Sequence, residues 1–496
     1  MILDFLKSFM LCEKQEIQGG NQREVNPFFI RNRRSYKGFQ PLEKTKKGRG
    51  DLMKKSERLK WLLFVSVLIL IPSLTISQTT YVGSKKCMSC HRSIYEMWKD
   101  TLHNKSQQLL SRTNDTLVVD WKGLIKLKAG NIPEVIVKLD DGPGGVHQAT
   151  LVDAKDPPKE VTYNVARTYG GWGWKQRYQV KIGNHHYILP FQWNQATSRW
   201  VPYNLQNWYK EDGSLKTPAV EKSFEMSCAG CHNTGLELRK ADAGYESKYV
   251  ELNIGCEKCH GPGSGHVKSP KTKGNIVHPR RLPYERGLEV CGQCHSRGVS
   301  APNGTFEYPW NDKENKPYKI GEPLSNYYQF KPGLWGDPQA HSKSHHQQWL
   351  DFQKSGHFYA RVLCFDCHNP HGGPSRSQLT KADHNNNLCL SCHGKSEKFA
   401  NSWAIRIHTK HNYAPETRGT GRCSSCHLVR TAGSAEAGDI HNHDFRMIRP
   451  RVSLEMFEKD PKNVVPNSCN GCHTEWGKDK AGYEAGVKAY ESLFRM

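Results

Sequence analysis

The sequence predicts short α-helices and irregular loops packed around something other than aliphatic side chains, interrupted by one β-rich insert near residues 117–224. Three observations carry this. The 496-residue chain is only 36% apolar, low for a globular protein of its size. It holds 26 Pro and 43 Gly, which cut regular elements into short pieces. Sixteen of its 17 cysteines fall in eight Cys-x-x-Cys pairs, each followed at once by histidine.

The pairs are Cys87/Cys90, Cys228/Cys231, Cys256/Cys259, Cys291/Cys294, Cys364/Cys367, Cys389/Cys392, Cys423/Cys426 and Cys469/Cys472. The histidines that follow are His91, His232, His260, His295, His368, His393, His427 and His473. With 24 His in 496 positions, chance would fill all eight with odds on the order of 10⁻¹⁰. Structural zinc also uses Cys-x-x-Cys, but it needs two pairs per ion and makes no demand for His at the fifth position. Disulfides fit poorly between residues three apart. Covalent haem c needs all three residues together: two thiols add across the porphyrin vinyl groups, and the adjoining His is carried to the iron as proximal ligand. Eight haem c groups are therefore expected, and the fold class is a multihaem cytochrome c whose interior is porphyrin.

Met53 opens a basic stretch (Lys54, Lys55, Arg58, Lys60), followed by an apolar run from Trp61 to Ile71 and small residues ending at Ser77. This layout is a secretory signal, residues 53–77. The run is shorter than the roughly 20 residues that span a bilayer. Residues 1–52, with the spare Cys12, read as a leader that is untranslated or cytoplasmic; if it is retained, the apolar run becomes an anchor with its positive end inside. The rest is expected to be exported, periplasmic or extracellular, as haem c attachment in bacteria requires. Residues 1–77 hold 15 Lys and Arg against 7 Asp and Glu, leaving 56 against 41, a net +15, in the exported part. Sixteen haem propionates would nearly cancel that charge, so it points to no nucleic-acid partner.

The anchors divide the exported chain. Residues 78–116 form a first haem segment, with Tyr95, Trp98 and Leu102 at helical spacing in a helix expected to end near His103. Residues 117–224 lack an anchor and alternate apolar with polar residues, as in VIVKL (135–139) and YQVKI (178–182). The latter leads through Gly183-Asn184 into HHYIL, a hairpin signal. The aromatics of this insert, Trp172, Trp174, Trp193 and Trp200, read as a small core. Residues 225–300 hold three anchors, 301–350 an irregular connection, and 351–496 four anchors and a last helix with Tyr483, Val487, Tyr490 and Phe494 on one face, expected to pack on the last porphyrin or its neighbour.

Sixteen histidines remain beyond the anchors, enough for every iron to take a second imidazole and become a low-potential, six-coordinate carrier. The distal candidates are His103, His266, His345, His346, His357, His371, His384, His408, His411, His441 and His443. His266 follows its own anchor His260 by six residues, so a neighbouring haem is its natural target, and His371 in CHNPHG has the same logic. His147, His185, His186, His278 and His341 read as surface or structural histidines.

The opening YVGSKKCMSCHRSIYEMWKDTLH and the stretches CEKCHGPGSGH and CGQCHSRG resemble the multihaem cytochrome family that includes the tetrahaem electron carrier of ammonia oxidisers. CFDCHNPHG with CLSCHG resembles the doubled CxxCH module of decahaem and related respiratory cytochromes. The resemblance implies closely stacked haems that conduct electrons, with His266 and His371, then His103, as distal ligands. The nitrite-reducing octahaem enzymes carry a CxxCK anchor at the active haem; none occurs here.

The expected function is thus an octahaem cytochrome passing electrons through closely spaced, mostly bis-histidine haems outside the cytoplasm, at roughly 52 residues per anchor. Its partners would be redox proteins: a quinol-side donor, and a reductase or outer-membrane conduit. One alternative is an oxidoreductase acting on a small nitrogen or sulfur compound at one open haem; another is a protomer of a conducting extracellular filament.

Overall fold

The computed structural model describes residues 79–111, 113–171, 173–412, 421–436 and 438–494. The leader, the signal peptide, Cys12 and Trp172 lie outside the described residues.

The β-rich insert is one antiparallel meander. Strands β2 (Gly123–Ala129), β3 (Ile132–Gly142), β4 (Val146–Val152), β5 (Glu160–Gly170), β6 (Lys175–Ile182), β7 (His185–Asn194) and β8 (Arg199–Pro202) pair in chain order, and β1 (Gln107–Leu109) pairs with β5. Alternation sets its inner face: Val135, Val137 and Leu139 of β3 are buried while Glu134 and Lys138 are exposed. Val137 sits between Ile125 and Leu151 across the sheet. Gly183, at φ 59°, makes the turn from β6 into β7. The edge strands β2 and β8 approach each other, so the sheet nearly closes on an aromatic core in which Trp121 meets Tyr178 edge-on at 4.6 Å. Trp193 and Trp200 pack together at 5.1 Å, whereas Trp174 is exposed.

The strands span 107–202 rather than 117–224. β1 precedes the expected start because an extended segment after the first anchor can pair with the free edge of β5. Between Pro202 and residue 224 there is no further strand; there Leu205, Trp208 and Tyr209 finish the core from a 3₁₀ turn and the loop after it. On β6, Tyr178 and Val180 face this core, while Arg177 and Gln179 on the opposite face are also buried. The outer face of that strand is thus covered by the anchor-bearing part of the chain.

Outside the sheet, regular structure is short. The Cys-x-x-Cys-His motifs coil into single helical turns. The His amide donates to the carbonyl of the first Cys at 2.9 Å for His91, His295, His368 and His473, and at 3.2 Å for His232. Four residues make about one helical turn, so this bond brings each imidazole back over its two thiols. After the first anchor the helix Arg92–Trp98 stops five residues before His103. The Thr101 hydroxyl donates to the Trp98 carbonyl at 2.7 Å, and Trp98 is buried and donates to the Ile254 carbonyl, so the chain turns there.

Residues 298–330 contain two short strand pairs, Gly298–Ser300 with Tyr328–Phe330 and Trp310–Asn311 with Lys316–Pro317, around the buried Phe306, Tyr308 and Trp310. The last helix, Lys480–Phe494, packs on the helix Pro450–Lys459, with Tyr483 against Phe457 at 5.1 Å. Tyr483 and Val487 of its apolar face are buried, while Tyr490 and Phe494 are partly covered. Among the described residues no helix is long and apolar enough to cross a membrane.

Candidate haem-binding sites

Two imidazoles on one iron, with nitrogen–metal bonds of about 2 Å and about 1 Å more to each ring centre, lie roughly 6 Å apart. Seven anchor histidines face a second imidazole at that distance. The ring centres are 6.2 Å apart for His91/His266, 6.1 Å for His260/His371, 6.5 Å for His295/His103 and 6.4 Å for His368/His443. They are 5.8 Å apart for His393/His357, 6.2 Å for His427/His408 and 6.3 Å for His473/His411. Ring planes range from nearly parallel, 6° and 8° at His408/His427 and His260/His371, to nearly perpendicular, 85° at His357/His393.

Every pair joins distant pieces of chain. His266 meets the first anchor because Glu257 organises the turn between them. The buried Glu257 carboxylate accepts the Val82 and Gly83 N–H groups ahead of the first anchor and the Gly263 N–H ahead of the helix Ser264–Lys268. Gly261 makes the bend at φ 73°.

The other nitrogen of many rings is already held. His260 Nδ1 contacts the Val277 carbonyl at 2.8 Å, His368 that of Ser377 at 2.9 Å, His427 that of Phe445 at 3.0 Å and His411 that of Thr409 at 2.6 Å. A carbonyl on Nδ1 fixes the tautomer that leaves Nε2 with its lone pair free for a metal. Burial disfavours the charged form of eight of the paired rings: it lowers His103 to about 4 and His443 to about 3, and lowers His260, His295, His368, His371, His357 and His408 as well. Paired neutral imidazoles above a two-thiol anchor fit haem c.

Four distal candidates lie elsewhere. His384 is exposed beside Asn385. His441 has Nδ1 on the Leu428 carbonyl and Nε2 on Arg430 at 3.3 Å, so neither nitrogen is free. His345 and His346 face each other at 4.2 Å rather than an anchor of their own. His341 is locked between Asp337 at 2.6 Å and Asp444 at 2.8 Å, and His147 and His186 sit on Asp141 and Glu225.

The second anchor differs. His232 has no second imidazole at the common separation; its ring meets Tyr169 at 4.4 Å, and its buried Nδ1 has no hydrogen-bond partner. Burial lowers it to about 3, with Lys258 and Arg177 adding to the effect. Tyr169, Lys175 and Arg177 come from β5 and β6, in the stretch whose alternation read only as a sheet with a small core. Lys-x-Arg on a strand looks like a solvated face, so only the covering of that face reveals them.

The thiols also meet across motifs. Cys87 lies beside Cys256, Cys231 beside Cys294, Cys291 beside Cys364 and Cys389 beside Cys423. Cys259 lies in the field of Cys294, Cys367 in that of Cys389, and Cys426 in that of Cys472. The anchors therefore run one, three, four, five, six, seven, eight, with the second attached at the fourth. No disulfide joins the sixteen described cysteines.

Thirteen of the sixteen thiols are partly buried, but Cys90, Cys392 and Cys472 are exposed. Each is the second cysteine of its motif. Cys90 lies just past the helix Ser84–Met88, where its sulfur meets the Ser89 hydroxyl at 3.9 Å. Cys392, in the helix Asn387–His393, meets the Ser391 hydroxyl at 3.9 Å in the same way. Their partner thiols Cys87, Cys389 and Cys469 are partly covered; a thioether needs only that the sulfur reach a vinyl group.

Comparison with known proteins agrees with this chemistry. The doubled CXXCH motif family matches residues 357–398, and the cytochrome c554 and c-prime family matches residues 86–126 and 192–261. The multiheme cytochrome MtrA of Shewanella baltica is 29% identical over 186 residues, 34% of this chain and 52% of that protein, so the chain spans about half of MtrA's length. Cytochrome c-554 of Nitrosomonas europaea is 23% identical over 184 residues, 32% of this chain and 78% of that protein. In the crystal structure of the outer cell wall cytochrome OcwA the fold is shared, with a TM-score of 0.55 at 20% identity over 83% of this chain and 87% of that one. The chain is a multihaem c-type cytochrome, binding haem c through its CxxCH motifs and resembling the cytochrome of ammonia oxidisers.

Proposed function

We propose that this cytochrome is an octahaem electron carrier working outside the cytoplasm, with haem c on all eight anchors. His91, His232, His260, His295, His368, His393, His427 and His473 are the proximal ligands. His266, His371, His103, His443, His357, His408 and His411 are the distal ligands opposite His91, His260, His295, His368, His393, His427 and His473.

The supporting observation is that seven anchor imidazoles face a second imidazole at the separation one iron requires. Bound haem supplies a reversible one-electron couple, which two imidazole ligands tune toward low potential. The chain buries several of the imidazoles, orients several through carbonyls on Nδ1, and sets the anchors close together so that no long protein gap separates them. Redox proteins meet the ends of the series: a quinol-side donor, and a reductase or outer-membrane conduit. Stacking into filaments would extend the same series between copies.

The test is the mass of the exported protein together with low-temperature magnetic circular dichroism. Eight added haems and seven bis-imidazole centres are expected. Fewer haems, or irons with a sulfur ligand, would refute the assignment.

A further inference from the structure

We infer that Gln348 sets the reduction potential of the centre at the fourth anchor, the branch point of the series, by accepting the Nδ1 proton of His295 in a hydrogen bond. The inference rests on the haem attachment and the His295/His103 ligation proposed above.

The first observation is the bond itself. His295 Nδ1 and Gln348 Oε1 lie 3.4 Å apart. With Nε2 on a metal, Nδ1 carries the proton, so the ring donates and the amide oxygen accepts. At the third, fifth and seventh anchors the same place is taken by the backbone carbonyls of Val277, Ser377 and Phe445, at 2.8, 2.9 and 3.0 Å. At the eighth, Glu475 stands 3.6 Å from His473 Nδ1, outside hydrogen-bond reach. Among the described residues, His295 is thus the anchor imidazole whose acceptor is a side chain. The ring opposite it, His103, is held by the Pro370 carbonyl.

The second is how Gln348 is placed. It opens the helix Gln348–Phe352, and its neighbours on both sides are fixed without it. The buried Gln347 accepts the Gly333 N–H at 2.9 Å and donates to the Gly333 and Ser344 carbonyls at 2.9 and 2.6 Å. The Trp349 N–H donates to the His295 carbonyl at 3.0 Å, and its indole lies against the anchor turn, where a Cβ on Gly292 would come within 2.9 Å of it. The segment is docked on the anchor by these neighbours, which leaves the Gln348 amide to the ring.

The third is position. Cys294 lies beside Cys231 of the second anchor, Cys291 beside Cys364 of the fifth, and Cys259 of the third lies in the field of Cys294. A change of potential here is felt by three neighbours at once.

An acceptor on Nδ1–H makes a metal-bound imidazole a stronger donor to the metal, which favours the ferric state. Reduction adds one electron to the iron and leaves the Nδ1 proton on the ring, shared with Gln348 in both states. A carboxylate in place of the amide strengthens the bond, and an alkyl group removes it.

The experiment is potentiometry of the full-length holoprotein at pH 8, followed by EPR, in Gln348→Glu and Gln348→Leu. The centre is identified as the low-spin signal that His103→Ala removes. Gln348→Glu should favour its ferric state about tenfold, a fall of about 59 mV for one electron, and Gln348→Leu should shift it the opposite way, with haem content unchanged and the largest shift at that signal. A merely structural role would move both variants in one direction. Shifts of the same sign, or no shift in either variant, overturn the inference while the ligation stands. A protein in which His103→Ala leaves every low-spin signal in place overturns the ligation, and the inference with it.

Discussion

Glu257, the second residue of CEKCH, ties the first anchor to His266, its proposed distal ligand, and its removal should be costly. The side chain is 2% exposed. One carboxylate oxygen accepts the Val82 N–H at 2.9 Å and the Gly263 N–H at 2.7 Å; the other accepts Val82 at 3.0 Å and Gly83 at 2.7 Å. In Glu257→Gln, whichever way the amide turns, either Gly83 or Gly263 faces an NH₂ group. A buried donor left without an acceptor costs about 1–3 kcal/mol, and each remaining charge-assisted bond weakens by about 1 kcal/mol when the charge goes. The expected loss is therefore about 3–4 kcal/mol, read as a lower denaturant midpoint. Because Gly263 leads into the helix carrying His266, and Gly83 into the helix carrying Cys87, the same variant should disturb the His91/His266 low-spin signal before the others. A loss below about 1 kcal/mol with an unchanged spectrum would refute the reasoning.

Other consequences follow from the same geometry. His357 and His393 stand at 85°, which leaves the two iron π orbitals nearly degenerate. Their centre should give a strongly anisotropic low-spin EPR signal that His357→Ala abolishes, whereas the near-parallel His260/His371 and His408/His427 centres should stay rhombic. The fourth anchor touches the second, third and fifth, so Cys291→Ser with Cys294→Ser should slow electron passage between the two ends by orders of magnitude in stopped-flow oxidation, while loss of the second anchor should leave it unchanged. Burial disfavours the charge on His341, but the Asp337 and Asp444 carboxylates outweigh it and lift the imidazole to about 9. This stabilisation, of order 3 kcal/mol, is complete below the unfolded value near 6.5 and is lost as pH rises through 9. Denaturant titrations at pH 6 and pH 9.5 should show the decline, and His341→Gln should flatten it.

Haem attachment was legible because it is written locally: the chemistry demands thiol, thiol and imidazole within five residues. How deeply each motif lies was not, since the same five residues serve at the surface, as at Cys90 and Cys392, and in the covered middle of the series, as at Cys291. Distal pairing is a contact between remote segments, and no local pattern encodes it. His357, expected to serve near the fifth anchor, faces the sixth, and His443 outcompetes His441 because the latter spends both nitrogens on Leu428 and Arg430. The sheet was legible from alternation, since Val135 and Val137 bury where Lys138 does not. Its outer face was not, because a polar strand face reads the same whether water or protein covers it. The apolar stripe of the last helix reports in the same way that something packs on it, not what.

That outer face explains why an otherwise haem-packed chain carries a β-domain. The seven imidazoles facing the other anchors come from segments that bear anchors or adjoin them. The groups meeting the second anchor, Tyr169, Arg177 and Tyr203, come from β5, β6 and the residue after β8. A sheet can hold the buried Arg177 where a loop could not, because the ladder of β6 against β5 and β7 fixes the backbone beneath it and the aromatic core behind it admits no retreat. The insert therefore stands where a histidine-bearing loop stands for every other anchor. Should deletion of the strand pair β6–β7 leave the second centre's spectrum unchanged while haem content stays at eight, the sheet would be a bystander, and the difference between that anchor and its seven neighbours would need another cause.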